Sequence, residues 1–378
     1  MLKAPPLALY VHVPWCVRKC PYCDFNSHQA AGSLPEAEYV AALIADLDHE
    51  RERAGGRRFA SVFFGGGTPS LFSPRAIAAV LDAAERGVGL APDAEVTLEA
   101  NPGTADADNF RGYRSAGVNR LSIGVQSFAD AQLAALGRIH SGDEAVQAFE
   151  LARAAGFANI NLDLMHDLPA QTQAAAIADL KQAIALAPEH LSWYQLTIEP
   201  NTLFHRRPPL QPDESVREAI DAAGVALLER AGYRQYEVSA YARDGRQGRH
   251  NVNYWEFGDY IGIGAGAHGK STDVGEHCIR RRRKVRHPRD YLARRGDPCA
   301  EEVVLDSPGL PLEFFLNALR LTQGVPVRYF PERTGLPLAA IAKPWDDLTQ
   351  RGLTVSPTHR LMTTPVGHRF LDTVLAAF

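Results

Sequence analysis

The chain has 378 residues, of which 46% are apolar and 22% are charged, and its formal net charge at pH 7 is −4. This length suits one large core with an appended domain, and the charge balance gives no basic surplus of the kind that favours nucleic-acid binding. No run reaches the roughly 18 apolar residues of a membrane span, and the N-terminus shows no small-residue cleavage site of a signal peptide. The odd number of five cysteines is typical of a reducing compartment, so we expect a cytoplasmic protein.

The first 240 residues alternate between strand-like and helix-like segments. Six short segments rich in Val, Ile, Leu and aromatic residues are predicted strands, at residues 7–13, 60–66, 94–102, 119–128, 157–166 and 190–199. Amphipathic segments separate them, and one of these begins with a capping Ser73 and with Pro74 at the first helical position. Six strand–helix repeats favour parallel strands with right-handed crossovers, but a closed barrel needs eight. We therefore predict an α/β fold whose first domain, residues 1–240, is an incomplete (β/α)6 partial barrel.

The pattern changes after residue 240. Residues 241–305 are rich in Gly, Asn and aromatic residues, and we expect an irregular connecting region there. From about residue 306 a small helical pattern resumes and is followed by the hairpin-like RLMTTP. Residues 306–378 are therefore predicted to form a small, winged-helix-like α+β domain.

The most informative segment follows the first predicted strand, where the sequence reads PWCVRKCPYCDF. Cys16, Cys20 and Cys23 have the spacing C-x3-C-x2-C, and a proline inside the span argues against a helix. A [4Fe–4S] cluster normally takes four cysteines, so three would leave one iron open to an outside ligand. A zinc site completed by His12 or His28 is the alternative, because structural zinc requires a closed set of four ligands.

Glycines or polar residues end the next four predicted strands. They are the glycine-rich FFGGGTPS of residues 63–70, and then Glu99, Gln126 and Asp163. Chemistry gathers at the carboxyl ends of parallel strands in barrels and open α/β sheets alike. We therefore expect these residues to lie around one site together with the cysteines, although each could instead cap a loop.

Taken together, several long motifs resemble one family, the radical S-adenosylmethionine (SAM) proteins. The motifs are PWCVRKCPYC, GGGTPSL, EANPGT, NRLSIGVQSF, LGRIH, NLDLMHDLP and HNVNYWEFGDYIGIGAGAHGK. They are most similar to the branch that contains oxygen-independent coproporphyrinogen III oxidase and related haem chaperones, and they cover residues 7–270. The resemblance implies that SAM binds the open iron through its amino and carboxylate groups. The cluster can then pass an electron to the sulfonium and release a 5′-deoxyadenosyl radical.

The resemblance also implies a role for individual residues. Cys16, Cys20 and Cys23 would bind the [4Fe–4S] cluster as its metal ligands. The first SAM would be contacted by Tyr10, Gly66 and Glu99. A second SAM, or an equivalent molecule, would be contacted by Tyr22, Gly67, Thr68, Gln126, Arg138 and Asp163.

Two departures select a function within the branch. The oxidases carry a fourth cysteine two residues after the third, where this chain has Phe25, and they have an N-terminal extension, where only six residues precede the first strand here. The resemblance therefore implies a chaperone that carries haem to acceptor proteins, such as respiratory ones. The alternative is a coproporphyrinogen III oxidase, which decarboxylates two propionates to vinyl groups.

The resemblance also implies that the segment HNVNYW takes part in haem binding. His250 is the candidate axial ligand in it, because neutral imidazole commonly binds haem iron. His268 is a second candidate. The arginines of residues 280–283 could contact the haem propionates. The alternatives are that His250 is an ordinary hydrogen-bonding residue and that the arginines form a solvated face.

Overall fold

The structure, a computed structural model, describes residues 1–30, 32–104 and 106–378. Its strands are, in chain order, β1 (Leu7–Val13), β2 (Trp15–Cys16), β3 (His28–Gln29), β4 (Phe59–Gly66), β5 (Leu90–Ala100), β6 (Arg120–Gln126), β7 (Ile160–His166), β8 (His190–Gln195), β9 (Arg234–Glu237), β10 (Ala240–Ala242), β11 (Asp259–Ile263), β12 (His268–Asp273), β13 (Cys278–Lys284), β14 (Cys299–Val304), β15 (Val325–Pro326) and β16 (Arg360–Leu361). Its helices are α1 (Glu36–Glu50), α2 (Pro74–Gly87), α3 (Ala107–Ser115), α4 (Asp130–Ala135), α5 (Gly142–Ala154), α6 (Gln173–Leu186), α7 (Leu203–Arg206), α8 (Glu214–Arg230), α9 (Arg249–Trp255), α10 (Pro288–Ala293), α11 (Leu310–Ala318), α12 (Tyr329–Thr334), α13 (Ala339–Gln350), α14 (Pro365–Arg369) and α15 (Leu371–Leu375).

Twelve strands form one open sheet in the order β14-β13-β12-β11-β1-β4-β5-β6-β7-β8-β10-β9. Its centre consists of β1, β4, β5, β6, β7 and β8, which pair in parallel in sequence order. Each crossover between them contains at least one helix. This confirms the predicted (β/α)6 partial barrel, and the six predicted strands differ from the observed ones by at most four residues at either end.

Residues 241–305 are more regular than we expected, so the prediction of irregular loops there is wrong. Strand β11 pairs in parallel with β1, and β12, β13 and β14 continue the sheet in antiparallel order. The glycine-rich GAGAHG connects β11 to β12. The strand character of β13 was hidden because its sequence, CIRRRRK, is mostly charged and offers no apolar alternation to recognise.

The parallel strands place alternate residues on opposite faces of the sheet. One face packs against the helices in the main hydrophobic core, for example through Val11, Phe64 and Leu98. Residues of the other face, such as Glu99 on β5 and Asp163 on β7, line a cavity. The sheet therefore separates the hydrophobic core on one face from a polar cavity on the other, and the predicted functional residues lie on the polar face.

A second hydrophobic core organises the C-terminal part of the chain. Phe314, Phe315 and Trp345 are buried in it, together with Phe257 of the preceding region. The helices α11–α15 and the short antiparallel pair β15–β16 surround it, in agreement with the predicted small α+β domain. Among the described residues, no helix is both long enough and apolar enough to cross a membrane.

Candidate functional site

A cavity of about 720 Å³ opens beside the carboxyl ends of the parallel strands. We call it the inner cavity. Nearly all of the residues predicted from sequence line it, namely Cys16, Cys20, Cys23, Tyr22, Gly66, Gly67, Thr68, Glu99, Gln126, Arg138 and Asp163. The structure thus brings together residues that are spread over about 150 positions of the sequence around a single space.

The cysteine loop is tied down at both ends. The loop starts at β2 and ends at β3, and these two short strands pair with each other in parallel. Within it, Lys19 Nζ donates hydrogen bonds to the carbonyl oxygens of Phe25, at 3.1 Å, and Ser27, at 3.0 Å. These bonds fold the loop back on itself, so that its three thiols face the inner cavity.

The three cysteines are half-buried free thiols. Burial raises the pKa values of Cys16 and Cys23, because it disfavours the negatively charged thiolate. A bound metal reverses this preference, since its positive charge stabilises the thiolate. Among the described residues, no three His, Cys, Asp or Glu side chains are grouped closely enough to hold a single metal ion.

The glycine-rich end of β4 packs tightly against the start of the cysteine loop. The amides of Gly67 and Thr68 donate hydrogen bonds to the carbonyl oxygens of Val13 and Trp15, both at 2.7 Å. A Cβ atom on Gly67 would lie 2.5 Å from the Trp15 carbonyl oxygen, closer than van der Waals contact allows. This position therefore requires glycine, because the backbone of β4 must approach the backbone that carries the cysteines.

Glu99 lies between the strand ends and the cavity. Its Oε2 atom accepts a hydrogen bond of 3.2 Å from the amide of Gly66. Burial, with a further contribution from the nearby Asp163 carboxylate, raises the pKa of Glu99 to about 8. A carboxyl group in this setting favours a partner that is cationic or donates hydrogen bonds, since such a partner offsets the cost of ionising it.

The wall opposite the glycines is built around Gln126, the last residue of β6. Its φ angle of 68° lies in the left-handed region, which is strained for a residue other than glycine. The Tyr194 hydroxyl donates to Gln126 Oε1 at 2.7 Å and fixes the side chain. Nearby, Arg138 donates from Nη2 to the Gly124 carbonyl oxygen at 2.8 Å, and its Nη1 lies 3.7 Å from the Cys20 sulfur.

Asp163 lies deeper than the sequence suggested. We expected it at the end of its strand, but it occupies the middle of β7. Its carboxylate accepts hydrogen bonds from Ser122 Oγ and Asn161 Nδ2, both at 2.8 Å. The predicted position along the strand was therefore wrong, but the predicted place in the lining of the cavity was right. Met165, two residues further along the same face, also lines the cavity.

The lining also includes residues that the sequence analysis did not predict, among them Ser122, Ser192, Tyr194 and Arg320. The first three could have been found, because they lie on the same strand faces as Gln126 and Asp163 or on the matching face of β8. Arg320 had no local signal. It follows α11 in the C-terminal part of the chain and pairs with Glu237 at 3.0 Å.

A second cavity, of about 640 Å³, adjoins the first one. We call it the outer cavity. Phe25, Gly66 and Glu99 line both cavities. The remaining lining residues of the outer cavity are Tyr10, His12, Asn26, Tyr254, Tyr260, Gly266, His268, Arg283 and Arg286. Tyr10, predicted to contact the first SAM, thus lies on the outer side of the shared wall.

His250, the candidate haem ligand, is buried beneath this wall on α9. Its Nδ1 atom lies 3.0 Å from Ser61 Oγ, and its Nε2 atom lies 2.8 Å from the Tyr254 hydroxyl. Burial lowers the pKa of His250 to about 3, so the ring is neutral. In this conformation both nitrogens are engaged, and the segment HNVNYW reaches the outer cavity through Tyr254.

The arginines of residues 280–283 do not form one patch, because β13 places them alternately on its two faces. Arg281 Nη1 donates to the Tyr260 hydroxyl at 2.8 Å, whereas Arg282 pairs with Asp297 and Glu302, both at 2.6 Å. Of the four, only Arg283 lines the outer cavity.

Comparison with known proteins agrees with this arrangement. The model of the radical SAM superfamily matches residues 10–182, and the model of the HemN C-terminal domain matches residues 305–370. The heme chaperone HemW of Escherichia coli is 50% identical over 378 residues, which cover 100% of this chain and 99% of that protein. The chain belongs to the HemW family. The chain is also similar to the heme chaperone HemW of Bacillus subtilis, with 34% identity over 98% of both chains.

A solved structure has the same fold as this member of the HemW family. Coproporphyrinogen III oxidase (HemN) from Escherichia coli, a radical SAM enzyme, superposes with a TM-score of 0.83 over 99% of this chain and 90% of that one, at 22% identity. Membership of the radical SAM superfamily implies a [4Fe–4S] cluster and SAM as cofactors. The residues present fit them, since three free thiols and a desolvated carboxyl group surround a cavity of cofactor size.

Proposed function

We propose that the protein is a haem chaperone that binds haem and a [4Fe–4S] cluster with SAM, and that transfers haem to acceptor proteins. The observation that carries the proposal is the full-length similarity to proteins named heme chaperone HemW, at up to 50% identity. A second observation supports it: next to the cysteine loop the chain has a further cavity of about 640 Å³, whose lining includes Tyr10, Tyr254 and Tyr260.

In this proposal Cys16, Cys20 and Cys23 hold the cluster, and the iron without a cysteine binds the amino and carboxylate groups of SAM. When bound and reduced, such a cluster supplies an electron that can cleave the SAM sulfonium. Tyr10, Gly66 and Glu99 surround the bound SAM. Glu99 would receive a hydroxyl or a cationic group, for which its hydrogen bond to Gly66 already holds it in place.

The deeper part of the inner cavity is proposed to take a second SAM or an equivalent small molecule. Its walls carry Tyr22, Gly67, Thr68, Gln126, Arg138 and Asp163. The strained backbone of Gln126 supports a binding role, because strain of this kind is concentrated at functional sites. Arg138 would act mainly on the cluster side, where it already contacts the Cys20 sulfur.

Haem-accepting proteins, with respiratory proteins as the expected class, are the proposed partners. The proposed location is the cytoplasm, and the five free thiols support it, because reducing compartments keep cysteines in this form.

The experiment that tests this proposal is a haem titration of the anaerobically reconstituted protein, followed in the Soret region. We expect one haem per chain, and we expect transfer of that haem to an apo-protein such as apo-cytochrome b. A parallel assay with coproporphyrinogen III tests the alternative enzyme. Decarboxylation to a divinyl product, without stoichiometric haem binding, would replace the chaperone by an oxidase.

A further inference from the structure

We propose that Asn26 and the turn GAGA of residues 264–267, which we call the glycine turn, position the first SAM by holding the cysteine loop against β1. The inference rests on the proposed function, because it takes the wall shared by the two cavities as the surface that meets the first SAM. Both elements reach this place, since Asn26 and Gly266 line the outer cavity. The proposed function gives neither of them a task.

The glycine turn opens the motif GAGAHG, which matches the G-x-G-x-x-G pattern of dinucleotide-binding loops. Such a loop leads from a strand into a helix, whose N-terminus receives a pyrophosphate. Here the turn joins β11 to β12, so a strand follows it and not a helix. Its glycines therefore serve another purpose.

The side-chain amide of Asn26 fastens the cysteine loop to this distant part of the chain. Its Nδ2 atom donates to the carbonyl oxygens of Ala265, at 2.9 Å, and Arg286, at 2.8 Å, which lie 239 and 260 positions further along the sequence. Its Oδ1 atom lies 3.3 Å from both His28 Nε2 and Arg286 Nε. The amide thus uses both of its N–H groups and both of its acceptor positions.

Both glycines of the turn occupy positions where a side chain would collide with this arrangement. Gly266 has a φ angle of 78°, and a Cβ atom there would lie 2.4 Å from Asn26 Nδ2. Gly264 has a φ angle of 102°, and a Cβ atom there would lie 2.4 Å from the carbonyl oxygen of His12 on β1. The turn requires glycine because it lies directly against Asn26 and β1.

The backbone of Asn26 extends the link to Tyr10. His12 Nε2 lies 2.9 Å from the Asn26 carbonyl oxygen, and His12 Nδ1 lies 3.0 Å from the Tyr10 hydroxyl. Burial lowers the pKa of His12, so its ring is neutral and has a single N–H donor. Because a carbonyl oxygen only accepts, this donor is Nε2, and Nδ1 accepts from the Tyr10 hydroxyl. Asn26 thereby fixes the tautomer that orients Tyr10.

The same imidazole ring packs against the other residues of the wall. A Cβ atom on Gly66 would lie 2.6 Å from His12 Cε1, and the amide of Gly66 donates to Glu99. Contacts therefore run without a break from the cysteine loop through Asn26 and His12 to the wall. A SAM molecule bound to the cluster and to this wall requires a fixed distance between them, and a misplacement of about 1 Å can reduce a rate by about 100-fold.

The test is a calorimetric titration of the full-length, cluster-reconstituted protein with SAM, with the iron, sulfide and thermal stability of each sample measured as well. Asn26→Ala removes the amide. Asn26→Asp keeps its size but replaces the donor by an oxygen that two carbonyl groups cannot bind. We expect both variants to keep the cluster, because the three cysteines and the Lys19 hydrogen bonds remain, and to bind SAM about tenfold more weakly. At a SAM concentration that saturates the wild type, SAM should change the electron paramagnetic resonance spectrum of the reduced cluster less in the variants.

Gly266→Ala and its matched control Gly232→Ala test the glycine turn. Gly232 has a similar φ angle, 84°, but a Cβ atom there would meet no described atom within 4 Å. Both variants therefore introduce backbone strain at a positive φ angle, and only Gly266→Ala also displaces Asn26. We expect weaker SAM binding in Gly266→Ala and wild-type SAM binding in Gly232→Ala.

The outcomes separate this inference from the proposed function. A wild type that holds the cluster and binds no SAM overturns the proposed SAM site and this inference with it, whereas a wild type that binds SAM and no haem overturns the chaperone alone. Wild-type SAM affinity in the Asn26 variants overturns the inference alone. Loss of the cluster in both Asn26 variants also overturns it, since Asn26 would then fold the cysteine loop and not place SAM. Equal SAM affinities of Gly266→Ala and Gly232→Ala overturn the role of the glycine turn.

Discussion

The amide of Gly66 donates a 3.2 Å hydrogen bond to Oε2 of Glu99, and this bond joins the ends of two adjacent parallel strands in the wall between two cavities. Both residues line the inner cavity with the cysteines and the outer cavity with the tyrosines. A ligand in either space therefore touches the same pair. Sequence alone marks these residues as strand ends, and the fold makes them a shared boundary.

The protonation of Glu99 leads to a first prediction. Its pKa of about 8 means that the carboxyl group is mostly protonated at pH 7, while a cationic ligand favours the ionised form. Ligand binding should therefore lower this pKa and release a proton. We expect the affinity for SAM to rise as the pH increases from 6.5 to 8.5, by up to about tenfold per unit below the pKa, because the ionised fraction rises in that range.

Calorimetric titration with SAM at several pH values measures this effect. Glu99→Gln is the comparison, because it keeps the shape and removes the ionisation, so titration of SAM itself contributes equally to both proteins. The difference between the two pH profiles should reveal a group that titrates near pH 8. Parallel profiles would show that Glu99 does not contact a cationic part of the ligand.

A second prediction concerns Gly67. A Cβ atom at this position would meet the carbonyl oxygen of Trp15 at 2.5 Å and push the start of the cysteine loop away from β4. We expect Gly67→Ala to destabilise the fold by about 1–3 kcal/mol and to reduce the iron content after reconstitution. Gly275→Ala is the matched control, because its new Cβ atom would have ordinary contacts only, 3.4 Å from Asp273. Equal iron contents in the two variants would contradict the role of this close approach.

The sequence predicts the central strands and the cysteine loop because their signals are local. Apolar runs mark the six parallel strands, and the cysteine spacing with its prolines marks a loop. The topology then adds a rule of its own, since parallel strands bring their carboxyl ends together and so gather Gly66, Glu99 and Gln126. Arg138 is different: it follows α4 and reaches the cysteine loop, and only the family resemblance pointed to it.

What the sequence could not give depends on long-range packing. Arg320 enters the inner cavity from the C-terminal domain, and no pattern near residue 320 predicts that contact. The buried state of His250 also had no local sign, since Ser61 and Tyr254 satisfy its ring only once α9 packs beneath β4. Likewise, the basic sequence of β13 indicated a solvated face. The acidic partners of its side chains lie on other elements, so nothing near β13 in the sequence showed that these charges are paired.

Those acidic partners lead to a third prediction. The Nζ atom of Lys284 lies 2.5 Å from both Asp46 and Glu50 on α1, and all three side chains are almost fully buried. Lys284→Met would leave the buried Asp46 carboxylate without its cation, while Glu50 would keep its ion pairs with Arg53 and Arg282. We therefore expect a loss of about 3–5 kcal/mol in the free energy of unfolding. Urea denaturation measures this loss.

Lys3→Met provides the contrast in the same experiment. Lys3 also forms a short ion pair, with Glu332 at 2.6 Å, but 64% of its side chain is exposed. Its removal should cost less than about 1 kcal/mol. Similar losses in both variants would mean that burial does not decide the value of the Lys284 pairs and that β13 is less firmly attached to α1 than its contacts indicate.

The five cysteines allow a test of the cluster with matched controls inside one chain. Cys16, Cys20 and Cys23 face the inner cavity, whereas Cys278 and Cys299 lie on β13 and β14 at the far edge of the sheet. We expect an alanine substitution at any loop cysteine to abolish stable binding of the roughly four irons and four sulfides of a [4Fe–4S] cluster, because two thiolates cannot replace three. Iron and acid-labile sulfide analysis after anaerobic reconstitution measures the result.

Substitution of Cys278 or Cys299 by alanine should leave the iron and sulfide content unchanged, since neither thiol lines the inner cavity. A zinc site would give a different pattern: one metal per chain, no sulfide, and additional loss of metal when His12 or His28 is replaced.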